Sequence, residues 1–202
     1  MYTYNKLHTH TYIQLLQKVY VLFVFCWLCI GCQSAGDAYI MEHTSEIIEK
    51  TKDNFTIELM LENPKGINNT KITIETFIVI TKIMYETVSP PQETLKHVII
   101  FVPKSNKSWV SFRNNYKSTA APEKVNASHT NDTALGDFLI IFNPTYWKEK
   151  SAIKISNTYI HELTHHISDA LTGESDNDHS NINFWGKDGL VNTIFEKCYF
   201  LT

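Results

Sequence analysis

The sequence predicts an α+β domain in which a small mixed sheet packs on one long helix and on a second helix that carries a site. Three observations point there. Apolar residues recur at three- and four-residue steps through 71–88 and 151–172, the spacing of a helix with one buried face. Short, strongly apolar runs at 55–61, 97–102 and 138–142 have the length and content of strands. Turn residues separate them: Asn63-Pro64-Lys65-Gly66, Ser89-Pro90-Pro91 and Asn143-Pro144.

With 202 residues, of which 43% are hydrophobic, the chain can build one sizeable core without disulfides and still carry a short extra segment. The formal net charge of -3 and the lack of a basic stripe give nucleic-acid binding no support. Nothing in the pattern fixes an oligomeric state.

Residues 1–32 read as an export signal. Lys6 and Lys18 form a weakly basic front, and the apolar run from Val19 to Ile30 has the length of a signal-peptide core. It is shorter than the roughly 20 residues a membrane-spanning helix needs. The end of this segment, Leu28-Cys29-Ile30-Gly31-Cys32, resembles a bacterial lipobox, with the expected leucine displaced by one and Cys29 in its place. That resemblance implies lipidation of Cys32 and an exported, membrane-anchored lipoprotein of the cell envelope. Cleavage after a small residue such as Ala35 would instead give a secreted protein, and no cleavage an anchored one. Cysteine usage agrees with export: Cys26, Cys29 and Cys32 lie in the signal, and Cys198 alone is left in the body, too few for an intradomain disulfide framework.

Residues 33–54 are expected to be a polar lead with a short helix around 45–50, and 55–202 the folded domain. Within it, 55–61 is a strand of alternating pattern. The segment 71–88 is rich enough in β-branched residues to suit helix or strand. Its length exceeds a typical strand, and Ile74, Phe77, Ile78, Thr81 and Met84 or Tyr85 share one helical face, so a helix ended by Pro90 and Pro91 is expected. His97 to Val102 is a strand apolar enough to be central. The Asn/Ser/Lys-rich stretch 104–136 is a long loop, with a strand expected at Trp109, Val110 and Phe112 and with His129 as a solvated loop histidine. Phe138 to Phe142 is the strand before the second helix, and 189–200 a last helix with Leu190, Ile194, Phe195 and Cys198 inward.

The helix over 151–172 carries the chemistry. Ile153, Ile160, Leu163, Ile167 and Leu171 define its apolar side, and Gly173 follows where a left-handed C-cap is expected. His161 and His165 are four residues apart, so their imidazoles project from one face, one turn above the other. Two rings so placed can reach one zinc ion at about 2.0–2.1 Å. Glu162 is turned from His161 and can act as a base beside the metal without binding it. His166 points away from the pair.

A catalytic zinc site needs a third protein ligand and one open position. The segment after the helix, Gly173-Glu174-Ser175-Asp176-Asn177-Asp178-His179-Ser180, can fold back along it. His179 is the first candidate, Asp176 the second, and Glu196 on the last helix the third. The same segment also fits an Asx-rich capping turn with no metal role. Asp169, Asp176 and Asp178 are candidates to hold the second N–H of a ligand histidine, and Trp185 is expected to close the loop against the domain.

His161-Glu162-Leu163-Thr164-His165 resembles the motif of the zincin metallopeptidases. The likeness is specific over the motif helix and extends to the order of elements over the domain. The chain departs from the metzincin pattern at Ser168 and Leu171, where glycine and histidine would stand, lacks an aspzincin-like Gly-Thr-x-Asp, and has Trp185 near where a gluzincin-like glutamate would fall. The resemblance implies a zincin-like metallopeptidase domain: a zinc-dependent hydrolase, most simply a metalloendopeptidase acting on a peptide or protein substrate. His161, His165 and His179 would bind Zn2+, with Glu162 as general base. It also implies that the strand before the motif helix, 136–142, edges the cleft and pairs with substrate backbone. Tyr146, Tyr199 and Lys187 are candidates to stabilise the oxyanion. The competing reading from another class is a non-catalytic metal-binding or zincin-like surface lipoprotein.

Overall fold

The computed structural model describes residues 35–65, 70–89, 96–115, 125–131, 133–173 and 178–199. The signal segment with Cys32, and the alternative ligand Asp176, lie outside the described residues. Among the described residues no helix is long and apolar enough to cross a membrane.

The elements, in chain order, are α1 (Ala35–His43), β1 (Glu46–Lys52), β2 (Phe55–Leu61), α2 (Thr70–Val88), β3 (His97–Val102), α3 (Asn106–Asn115), β4 (Ala127–Thr130), β5 (Phe138–Phe142), α4 (Pro144–Glu149), α5 (Ala152–Thr172), α6 (Ile182–Trp185) and α7 (Leu190–Cys198). The fold is a mixed α+β arrangement built on a five-stranded sheet of order β1-β2-β3-β5-β4. The three inner strands run parallel, and β1 and β4 close the edges antiparallel.

Sequence explains this order. β3 (His-Val-Ile-Ile-Phe-Val) and β5 (Phe-Leu-Ile-Ile-Phe) are nearly unbroken apolar runs, as strands covered on both faces must be. Their side chains alternate between two cores. Val98, Ile100 and Val102 join Phe138, Ile140 and Phe142 on one face, while Ile99 and Phe101 join Leu139 and Ile141 on the other. The first face is covered by α2, α5 and α7 through residues such as Phe77, Ile160, Leu163 and Ile194. The second is covered by α1 and α3 through Ile40, Trp109 and Phe112. Strand β1 is largely exposed and rich in Glu and Lys, a composition that suits an edge.

Four expectations change. The segment expected as a short helix around 45–50 is strand β1. Asp53 and Asn54, at φ 52° and 69°, make the two-residue turn of a β1–β2 hairpin, so the sheet starts within the supposed polar lead. The strand expected at Trp109 to Phe112 is helix α3. Trp109, Phe112 and Arg113 are buried at helical spacing while Val110 is exposed. Ser105 Oγ and the Glu62 carboxylate take up N–H groups at its start, Ser108 N–H and Lys104 N–H respectively. His129 stands on strand β4 and is not a solvated loop residue. Finally, β5 is interior, and β4 is the edge strand beside α5.

Helix α5 is fixed by packing on two sides. Tyr159 stacks on Phe77 of α2, ring centroids 4.1 Å apart, and its hydroxyl meets Thr81 Oγ1 at 2.7 Å. Burial pushes the Tyr159 phenol pKa well up, so it stays a neutral donor. At its end, Gly173 has φ 72° and gives its N–H to Asp169 O at 2.9 Å, the left-handed cap its position predicted.

Candidate metal centre

The helix carries His161 and His165 on one face, and their Nε2 atoms are 3.2 Å apart. His179 enters from the segment after the Gly173 cap, its Nε2 3.1 Å from His165 Nε2. The three ligand atoms all lie within 4.8 Å of one another and could hold a metal ion. His179 has φ 57°, in the left-handed region that histidine enters more readily than most side chains. Asp178 Oδ1, just before it, accepts the Ser180 N–H just after it, and Asn181 caps α6 by accepting the Asn183 N–H. Helix α6 in turn places Trp185, whose ring centroid is 4.2 Å from that of His179, 4.5 Å from His165 and 4.9 Å from His161. Trp185 thus does more than close the loop against the domain: it walls the three imidazoles.

The donor set fits a cation better than it fits a hydrogen-bonded cluster. His165 Nε2 has a nitrogen at bonding distance on each of two sides. One ring nitrogen offers either a single proton or a single lone pair, so it cannot make both contacts as full hydrogen bonds. Nitrogens bound tetrahedrally to one zinc ion at about 2.0–2.1 Å stand about 3.3–3.4 Å apart, close to the two spacings made by His165. His161 and His179, in a group that spans 4.8 Å, would draw together around the ion. Burial lowers the His161 pKa, against the raising effect of the Glu162 charge, and this keeps the imidazole neutral with a lone pair to give.

Glu162 is 7% exposed and does not join the three nitrogens. Its Oε2 accepts a hydrogen bond of 2.8 Å from His129 Nδ1 on β4. Together with His161 it lines a cavity of about 450 Å³, whose other walls include Thr158, Tyr146, Lys154 and Ala127 at the start of the edge strand. The Tyr146 hydroxyl is 2.9 Å from both Lys154 O and Thr158 Oγ1, so of the three candidate oxyanion donors it is the one in this cavity. Tyr199 lines a separate pocket with Ile80 and Cys198, and Lys187 is exposed on the α6–α7 turn.

Other candidates fall elsewhere. Glu196 is exposed on α7 and outside the histidine group. His166 donates from Nδ1 to Asn131 Oδ1 at 2.7 Å and stacks on Phe138, centroids 4.3 Å apart. Asp178 serves its own turn. Sequence reading missed His129, because nothing in a polar segment marks the one residue that tertiary pairing brings to Glu162. Compared with family models, curated proteins and solved structures, the chain finds no match in any of the three.

Proposed function

We propose that this chain is a zinc-dependent hydrolase with a zincin-like domain, and that the reaction is internal cleavage of a peptide or protein. The observation that carries the reading is the convergence of His161, His165 and His179 beside a buried carboxylate that borders an open cavity. Three imidazoles with room for a further ligand are the donor set of a catalytic rather than a structural zinc site. A zinc ion held there supplies Lewis acidity toward a carbonyl and acidifies water.

The rest of the chemistry belongs to the chain. Glu162 takes a proton from water in the cavity and delivers it to the leaving amine, as a carboxylate beside such a site can. Of the candidate donors, Tyr146 is the one that can serve a developing oxyanion, once the proton it gives to Lys154 O is released. The edge strand β4 borders the cavity through Ala127 and offers main-chain groups to an extended peptide. Export and membrane attachment through Cys32 belong to the same reading and rest on the 1–32 segment.

The test is zinc stoichiometry of the purified protein together with cleavage of labelled casein by wild type and Glu162→Gln. The expected result is one zinc per chain in both and at least about a hundredfold less cleavage in the variant. A zinc-loaded variant as active as wild type would end the general-base assignment. Zinc without cleavage in the wild type would favour the non-catalytic surface protein.

A further inference from the structure

Glu162, which lines the cavity, comes from α5, and His129 comes from edge strand β4, 33 residues away in sequence. The bond between them, 2.8 Å from Nδ1 to Oε2, joins helix to strand at the carboxylate itself. The His129 ring is held on two sides. It stacks on His165 with centroids 4.9 Å apart and planes at 20°, and lies 5.6 Å from the Phe138 ring. Its backbone is registered opposite Ile140 in the β4–β5 ladder. A donor fixed in this way fixes what accepts from it.

We propose that His129 is a positioning residue for Glu162. A glutamate side chain has several rotatable bonds, and a carboxylate free to sample them would spend much of its time away from the reacting water. Holding Oε2 leaves Oε1 as the oxygen free to take the proton. The donor does not depend on the charge of the imidazole: the neutral Nδ1–H tautomer and the imidazolium both present it. The consequence for turnover rests on the hydrolase reading, but the placement of Glu162 can be read without turnover.

The probe is acetohydroxamate binding to the Co2+-loaded protein, followed in the visible spectrum. A hydroxamate chelates the metal and presents a proton to the neighbouring carboxylate, so its affinity reports where that carboxylate stands. His129→Phe keeps the ring contacts with His165 and Phe138 but removes the donor. His129→Asn restores a donor near the Nδ1 position. The expected result is roughly tenfold weaker acetohydroxamate binding in His129→Phe and in Glu162→Gln, with most of the affinity recovered in His129→Asn and Co2+ affinity nearly unchanged in all three. Cleavage of labelled casein should fall in kcat and not in KM for His129→Phe. His129→Phe binding the hydroxamate like wild type overturns the proposal. Equal losses in His129→Phe and His129→Asn also overturn it, because the ring and not the donor would then matter. A wild-type chain that binds neither Zn2+ nor Co2+ removes the hydrolase reading itself, and this inference with it.

Discussion

The indole of Trp185 lies 4.2 Å, centroid to centroid, from the imidazole of His179, and the same indole flanks the other two histidines of the cluster. A fluorophore therefore sits against every proposed ligand. Trp109 and Trp147 are buried in the two cores on either side of the sheet, and Trp27 lies outside the described residues. Adding Co2+ to the metal-free protein should quench emission with a one-to-one end point. Trp185→Phe should lose most of the quenching while still binding the ion. Equal quenching in the variant would show that the ion binds elsewhere.

The three histidines are predicted to be unequal partners. His165 is the central one, since its Nε2 is close to both of the others. His165→Ala should lower zinc affinity at least about a hundredfold, judged against the 10–100-fold typical of losing a mere supporting contact. His161→Ala should do the same, and His179→Ala should cost less, because His179 is exposed and comes from a segment outside the helix. Competition with a fluorescent zinc chelator measures all three. Full affinity in His179→Ala would move the third ligand to another residue.

Stability predictions separate the helix contacts from the site. Thr81 donates to Phe77 O at 2.9 Å and so accepts from Tyr159 at 2.7 Å. Tyr159→Phe removes one hydrogen bond and should cost about 1 kcal/mol. Thr81→Val leaves the buried Tyr159 hydroxyl without its acceptor and should cost more, about 1–3 kcal/mol. Urea denaturation of the two variants tests the order, which an equal cost would contradict. Zinc affinity should stay unchanged in both, since neither residue touches the cluster.

Two glycines should respond differently to alanine. At Gly136 a Cβ would meet His97 O at 2.8 Å and Ile99 Cγ1 at 2.9 Å, against the central strand. Gly136→Ala should cost roughly 1–3 kcal/mol through overpacking. At Gly173 a Cβ meets nothing, and only the φ of 72° opposes it, so Gly173→Ala should cost about 1–2 kcal/mol. Asn at Gly173, which tolerates this region better, should recover part of the loss, whereas Asn at Gly136 should recover none.

Most of the framework was legible where one residue pattern had one physical solution. The apolar runs at 97–102 and 138–142 read as strands, and the length and spacing of 71–88 as a helix despite its β-branched residues, whereas the interior place of 138–142 came only from the strand order of the sheet. The misses share a cause. At 45–52 the residues were too polar for a strand reading, because an exposed edge needs no apolar face. What ordered them was the Asp53-Asn54 turn and the partner strand. At 109–112 three apolar residues within four positions suited either period, and burial against α1 and the sheet chose the helical one.

The site divides along the same line. Local spacing determined that His161 and His165 share a helical face with Glu162 beside them, and that Gly173 ends the helix, because these follow from 3.6 residues per turn and from the backbone freedom of glycine. Tertiary structure decided that His179 meets the pair, that Trp185 covers it, and that His129 holds Glu162. The physical reason is that those contacts depend on how strands order and pair across the sheet and where a loop returns. Both are settled by burial and hydrogen bonding over the whole domain, and no short stretch of sequence records them.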